Sequence, residues 1–479
     1  YKRQYIKVKM MKGDADLKKI RIGGGAGYGG DRIEPAVDLI RFGNLDYIIF
    51  ECLAERTIAL AQQKKKEDSR KGYNELLEHR MSKVLPLLKD HKVKIITNMG
   101  AANPKAAMEV TGRMAREYGL TDLKIMGVLG DDIIDGIDRY MDFEILETGK
   151  PLSSIADDIV SANAYIGAGG IVEALKQGAD IVISGRVADP ALTLAPAIYE
   201  FGWSMDDYEK LGKGTVMGHL LECGAQVCGG YFADPPYKEV PKPWDIGFPI
   251  GEITEDGDIT ISKLNKAGGV VSRETVTEQL IYEIHDPSAY YTPDVAADFS
   301  GIEVEERYGA VKVTGASGNE KNGKYKVSVA YKDGFIGEGE MSYTGSGAET
   351  RARLAIEIVK KWMEPWKDKI EEEKYDIIGV DSLHGDITGA GGASPAECRI
   401  RAAVRAKDKE AAEAVGKEVE ALYTNGPAGG GGARKSVKEV IAIASIFVPE
   451  DDIKIETAFM PLVLSVPNYF RIVRTKRFV

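Results

Sequence analysis

The chain has 479 residues, enough for two or three domains with a full hydrophobic core, so a small disulfide-stapled or metal-nucleated module is excluded. Its 63 Lys and Arg against 74 Asp and Glu give a formal charge of −11, which argues against a broad basic surface that grips nucleic acid. Composition is otherwise near the globular average at 44% hydrophobic and 29% charged, but the 54 glycines exceed the usual share of roughly 7%.

Cys52, Cys223, Cys228 and Cys398 are scattered and read as reduced thiols of a soluble, cytoplasmic protein. Residues Tyr1–Lys19 are basic and broken by charge, so no signal-peptide core is expected there. No run approaches the ~20 apolar residues of a membrane span, and no membrane partner is expected.

From Ile20 to about Tyr199, short β-branched runs alternate with amphipathic stretches. Strands are predicted at Ile20–Ile22, Tyr47–Phe50, Val93–Ile96, Ile125–Leu129 and Ile181–Ile183. Helical patterns separate them, among them Pro35–Phe42, a stretch around Ile58–Ala61 and a long one from Tyr73 to Leu88. This spacing predicts an α/β domain over residues 18–234, with a parallel sheet covered by helices on both faces. Prolines 235, 236, 241, 243 and 249 then interrupt any helix, and a Pro-rich linker with a β-rich segment is expected over 235–335. Residues 336–450 show strand, helix, strand, strand, helix, strand, the order of a ferredoxin-like α+β portion. A C-terminal extension follows over 451–479.

Gly23–Gly30 holds a literal G-x-G-x-x-G at Gly25, Gly27 and Gly30, with Glu51 at the end of the next strand. That arrangement is compatible with an NAD(P)-binding turn, although Asp31–Pro35 delay the helix beyond the position such a fold requires. The other readings are a backbone nest for a carboxylate or phosphate, with Asp31 and Arg32 beside it, and a tight turn without a ligand.

Polar residues recur after the strands, where an open parallel sheet places its ligands: Glu51 and Glu55, Asn98 and Asn103, Asp131 and Asp132, Arg186 and Asp189. Asp131 and Asp132 are weak candidates for a divalent cation, the alternative being a helix cap and its solvated neighbour. Arg186 with Asp189 fits a carboxylate clamp or an internal ion pair. If helical, His219, Glu222, Cys223 and Gln226 share one face, which would make His219 or Glu222 an acid–base group and Cys223 a nucleophile, or else an inert buried thiol. Glycine loops at Asp386–Ala393 and Gly426–Gly432, the latter with Gly429, Gly430 and Arg434, are expected to close on a ligand. A site assembled from both halves is therefore expected.

Gly29–Arg32, Glu51–Glu55, Gly185–Asp189, the Gly218–Gly230 block with Phe232–Asp234, and Gly426–Gly432 together resemble the acyclic terpene utilisation (AtuA) family over roughly residues 18–450. The family takes its name from bacterial breakdown of citronellol and geraniol, in which branched acids are activated as CoA thioesters, carboxylated, hydrated and cleaved. The resemblance implies an enzyme of acyl-CoA or branched carboxylic acid catabolism, a lyase or hydrolase. The alternatives are an NAD(P)-dependent oxidoreductase and a non-catalytic subunit that organises a carboxylase or thiolase complex. A small carboxylic acid or acyl-CoA is the expected partner, with a homo-oligomer expected and a partner subunit left open. No cofactor is assigned; a divalent cation or the CoA part of a substrate remain the open ligands.

Overall fold

A computed structural model describes residues 17–385, 395–462 and 471–473, and the chain divides into two compact units. The glycine loop Asp386–Ala393 lies outside the described residues.

The described part of the first unit covers 17–154, 160–329, 444–462 and 471–473. Its parallel core is built from β1 (Lys19–Gly24), β2 (Tyr47–Phe50), β3 (Lys94–Thr97), β4 (Ile125–Leu129) and β6 (Ile181–Ser184), with β5 (Ile159–Ala164) in between in sequence. These are the five apolar runs predicted from the sequence. Residues in β2, β3 and β6 are almost all buried, as expected for strands covered on both faces.

The sheet is mixed and larger than the parallel core. β7 (Pro249–Thr254) pairs antiparallel with β1, and β8 (Ile259–Lys263), β12 (Ala310–Thr314) and β11 (Glu303–Arg307) continue that side. The β-rich segment predicted over 235–335 thus supplies strands to the central sheet. On the other side, β18 (Glu456–Met460) pairs antiparallel with β4 and is followed by β19 (Arg471–Val473). The full order is β11-β12-β8-β7-β1-β2-β3-β6-β4-β18-β19. A small sheet of β9 (Tyr290–Tyr291), β10 (Ala296–Asp298) and β13 (Ser317–Asn319) lies off this path.

Helices α1 (Glu34–Phe42), α3 (Leu77–Val84) and α4 (Pro104–Glu117) share one core with Ile48, Phe50, Ile95, Ile181 and Ile183. Fully burying one such aliphatic side chain contributes roughly 1.5–3 kcal/mol. Pro35 sits in the first turn of α1, where its missing N–H costs nothing. The long helix predicted over Tyr73–Leu88 is shorter: α3 ends at Val84 and a 3-10 turn containing Pro86 follows. α2 (Glu55–Glu67) follows β2, while α5 (Gly169–Lys176), α6 (Ala191–Phe201) and α7 (Tyr208–Glu222) contact the core strands outside that cluster. α8 (Arg273–Ile281) packs on α7.

The second unit, residues 155–159 and 330–443, takes the order β14 (Lys324–Thr344), α9 (Ala348–Met363), β15 (Ile370–Ile378), β16 (Glu397–Ala406), α10 (Lys409–Asn425) and β17 (Gly431–Pro449). Its strands run β15-β16-β14-β17. Ala352, Ala355 and Val359 of α9 and Val415 and Val419 of α10 pack on Met341, Ile400 and Val404. No described helix is long and apolar enough to cross a membrane.

Candidate functional site

The carboxyl ends of β2, β3, β4 and β6 converge because adjacent parallel strands deliver their last residues to the same edge. Glu51, after β2, accepts from Asn98 Nδ2 at 2.8 Å and from the Leu53 N–H at 3.0 Å. Asp131, after β4, accepts from the Arg186 N–H at 2.9 Å and from Asn163 Nδ2 of β5 at 3.0 Å. Glu51, Asn98, Asp131 and Arg186 are all buried.

Among the described residues, Arg186 is the one cation in contact with Glu51 and Asp189. Its Nε donates to the Val187 carbonyl at 2.8 Å and its Nη1 to the Leu53 carbonyl at 2.7 Å. Nη2 reaches the Asp189 carboxylate and stands 4.0 Å from Glu51 Oε1. The guanidinium lies 4.5 Å from the Tyr165 ring centre, and Tyr165 donates to Glu55, itself paired with Lys326 at 3.5 Å. All three nitrogens are engaged inside the protein, so the geometry is the internal ion pair rather than an open clamp for a substrate carboxylate.

One guanidinium therefore faces more than one acid. Burial and the charge of Asp189 raise the Glu51 carboxyl above the ordinary carboxylate range, against the opposing effects of Arg186 and Asn98. Burial and the charge of Glu222 raise Asp189 too, opposed by Arg186, though 37% of its side chain stays open to solvent and is screened accordingly. Burial lifts Asp131 to about 6.

Glu222 and His219 form the second part of the site. His219 Nε2 lies 2.8 Å from the Gln279 carbonyl, which can only accept, so that nitrogen carries a proton. Nδ1 then faces Glu222 Oε1 at 2.8 Å, and the two share a second proton. Gln279 returns a bond from its Nε2 to the His219 carbonyl at 3.0 Å. Burial disfavours the imidazolium, but the charge and hydrogen bond of Glu222 outweigh it and the His219 pKa is raised. Glu222 Oε2 is buried with no hydrogen-bond partner among the described residues.

The shared helical face predicted for His219, Glu222, Cys223 and Gln226 does not form as a whole. α7 ends at Glu222, Cys223 is its cap, and Gln226 lies in the next 3-10 turn. The break falls at Gly224, whose φ of 53° lies in the left-handed region. Burial and the charge of Glu222 push the Cys223 thiol up to about 12, and neither His219 nitrogen bonds to it, so the nucleophile reading has no activating base.

Gly27 explains its own identity. Its N–H donates to Asp31 Oδ2 at 2.8 Å, while a Cβ there would lie 2.4 Å from the Cys223 carbonyl carbon. Gly25 N–H donates to the Ile49 carbonyl at 2.7 Å. The nest is thus filled from within by Asp31, and the loop is locked against the end of α7, leaving neither N–H for a dinucleotide phosphate. At Gly30 a Cβ would meet the Tyr28 ring at 2.8 Å. Arg32 is exposed and donates to the Trp244 carbonyl at 3.2 Å.

Asp131 and Asp132 part company: Asp132 accepts from Gln62 Nε2 at 2.7 Å and pairs with Lys65 at 3.1 Å. Among the described residues no group of three or more His, Cys, Asp or Glu is placed to hold a metal. Gly429, Gly430 and Arg434 belong to the second unit. There Arg434 lines a cleft of about 410 Å³ with Ser342, Cys398 and Arg399, and a Cβ at Gly430 would meet Met341 Sδ at 2.7 Å.

Three contributors went unread in the sequence, two of them without any local signal. Gln279 reaches His219 from 60 positions away, and Tyr165 reaches Glu55 from 110. Arg80, fully buried, ties the Gly29 and Asp31 carbonyls at 3.0 and 2.9 Å. A charged residue on the apolar face of a predicted helix was the one hint for Arg80.

A parallel-cored α/β sheet with buried carboxyls, an arginine and a His–Glu pair beside its strand ends defines an α/β protein with a candidate acid–base site. Residues 20–459 match the acyclic terpene utilisation family protein AtuA, and the chain belongs to that family. The family description gives it a catabolic role in acyclic terpene utilisation. No curated protein and no solved structure matches the chain.

Proposed function

We propose that the chain is a catabolic enzyme that moves protons on a branched carboxylic acid or its CoA thioester, as a lyase or hydrolase. The observation that carries this is the pairing of Glu51, held protonated by burial and a neighbouring carboxylate, with a separate proton-sharing pair, His219 and Glu222. Acids whose environments set their protonation apart are the usual basis for assigning a donor and an acceptor. Glu51 is the proton donor and Glu222, whose Oε2 has no hydrogen-bond partner among the described residues and whose Oε1 is held by His219, the acceptor. Arg186 positions Glu51 and Asp189 and is a positioning residue.

The test incubates the full chain with a panel of branched acyl-CoA thioesters in deuterium oxide and follows label uptake, cleavage and hydrolysis by mass spectrometry. Uptake or turnover that falls by about a hundredfold or more in Glu51→Gln and Glu222→Gln supports the assignment. Absence of all three reactions across the panel, or full turnover in both variants with the fold intact, overturns it.

A further inference from the structure

On the outer side of α8 a cleft of about 790 Å³ is lined by Arg273, Thr277, Ile281, Ile284, Phe299 and Val304, among others. That volume lies in the range of small-molecule sites, which are mostly apolar with a few placed polar groups. The helix turns Ile281 outward at 67% exposure.

Two charged residues, Arg273 and Glu303, belong to the lining. Arg273 opens α8, and its own N–H donates to Glu306 Oε2 at 3.0 Å, which places the helix start beside that end of β11. The guanidinium has no ion-pair partner within 4.0 Å among the described residues. Glu303 lies three residues before Glu306 on an extended strand, roughly 10 Å away, and lines the cleft. A guanidinium without an ion-pair partner among mostly apolar lining side chains suits a chain with one anionic head, and the carboxylate of Glu303 in the same lining disfavours a second.

We infer that this cleft is a binding site for an alkyl monocarboxylate, its carboxylate on Arg273 and its chain against Ile281, Ile284, Phe299 and Val304. It is separate from the acid–base cluster: Phe299 lines it and packs against His219 in a T-shaped pair with ring centres 5.5 Å apart.

The test titrates decanoate into the full chain by isothermal calorimetry. Saturable one-to-one binding is expected, weakened roughly tenfold by Arg273→Gln and abolished by Ile281→Asp, with both variants melting like the parent. Decanol and decanedioate bind more weakly than decanoate, and decanol is indifferent to Arg273→Gln. Glu51→Gln leaves decanoate binding unchanged, so the result stands or falls apart from the proposed chemistry. No saturable binding at millimolar decanoate, affinity untouched by both cleft substitutions, or binding lost in Glu51→Gln would each overturn the proposal.

Discussion

Asn98 Nδ2 donates to Glu51 Oε1 across 2.8 Å, joining the ends of β2 and β3 at the carboxyl edge of the sheet. The same oxygen takes the Leu53 N–H, so Glu51 is held in one orientation. Glu51→Gln keeps the shape and removes the titration. Turnover of a branched acyl-CoA should fall by about 10²–10⁴ while the melting temperature holds or rises, since a buried ionisable group is gone. Unchanged turnover in this variant, measured by mass spectrometry, refutes the donor role.

Asp131 sets a pH signature. Burial raises its carboxyl from 3.8 to about 6, so the folded state binds the proton more tightly than the unfolded chain. The resulting stabilisation is fully present below about pH 4 and is lost as pH rises through about 6, a change on the order of 3 kcal/mol. Asp131→Asn mimics the protonated acid and does not titrate. In urea unfolding, wild type should lose stability relative to the variant between about pH 4 and 7 and stay level above it. A difference that is constant over that range contradicts the assignment.

Cys223 should be a poor nucleophile. With its thiol pushed up to about 12, it carries roughly a thousandfold less thiolate at pH 8 than free cysteine. Peptide-resolved alkylation with iodoacetamide should show it reacting correspondingly slowly. Cys223→Ser should keep turnover within about threefold while His219→Gln loses it. Rapid alkylation at pH 8 would count against this environment.

Two glycines separate packing from mere abundance. At Gly27 a Cβ would press on the Cys223 carbonyl carbon at 2.4 Å, whereas at Gly431 it would meet nothing within 4 Å. Gly27→Ala should cost about 1–3 kcal/mol and Gly431→Ala should stay within about 0.5 kcal/mol, both read from denaturant midpoints. Equal effects would show that the loop does not pack on α7 as described.

The parallel core was legible because its strands are short, β-branched and bounded by polar residues, and the same boundaries pointed to Glu51, Asn98, Asp131 and Arg186. What the sequence could not convey was pairing at a distance. Nothing local tells that β7 and β18 border the parallel strands, or that the Gln279 carbonyl fixes the His219 tautomer. The one-faced helix ending in Gln226 failed because Gly224 ends α7 in a left-handed turn, a conformation that glycine permits and does not dictate. The glycine loop at Gly25 and Gly27 looked like a ligand cradle, and its donors are taken by Ile49 and Asp31.

β4 carries Asp131 at its end, and its outer neighbour β18 is drawn from residues 456–460. The first unit resumes only at residue 444, so the second unit must leave the ribosome before that edge can close. At ordinary translation rates the gap between synthesis of β4 and β18 lasts tens of seconds. From the synthesis of β6, which joins β4 to the parallel strands, the outer border of β4 stays without its neighbour until residues 456–460 emerge.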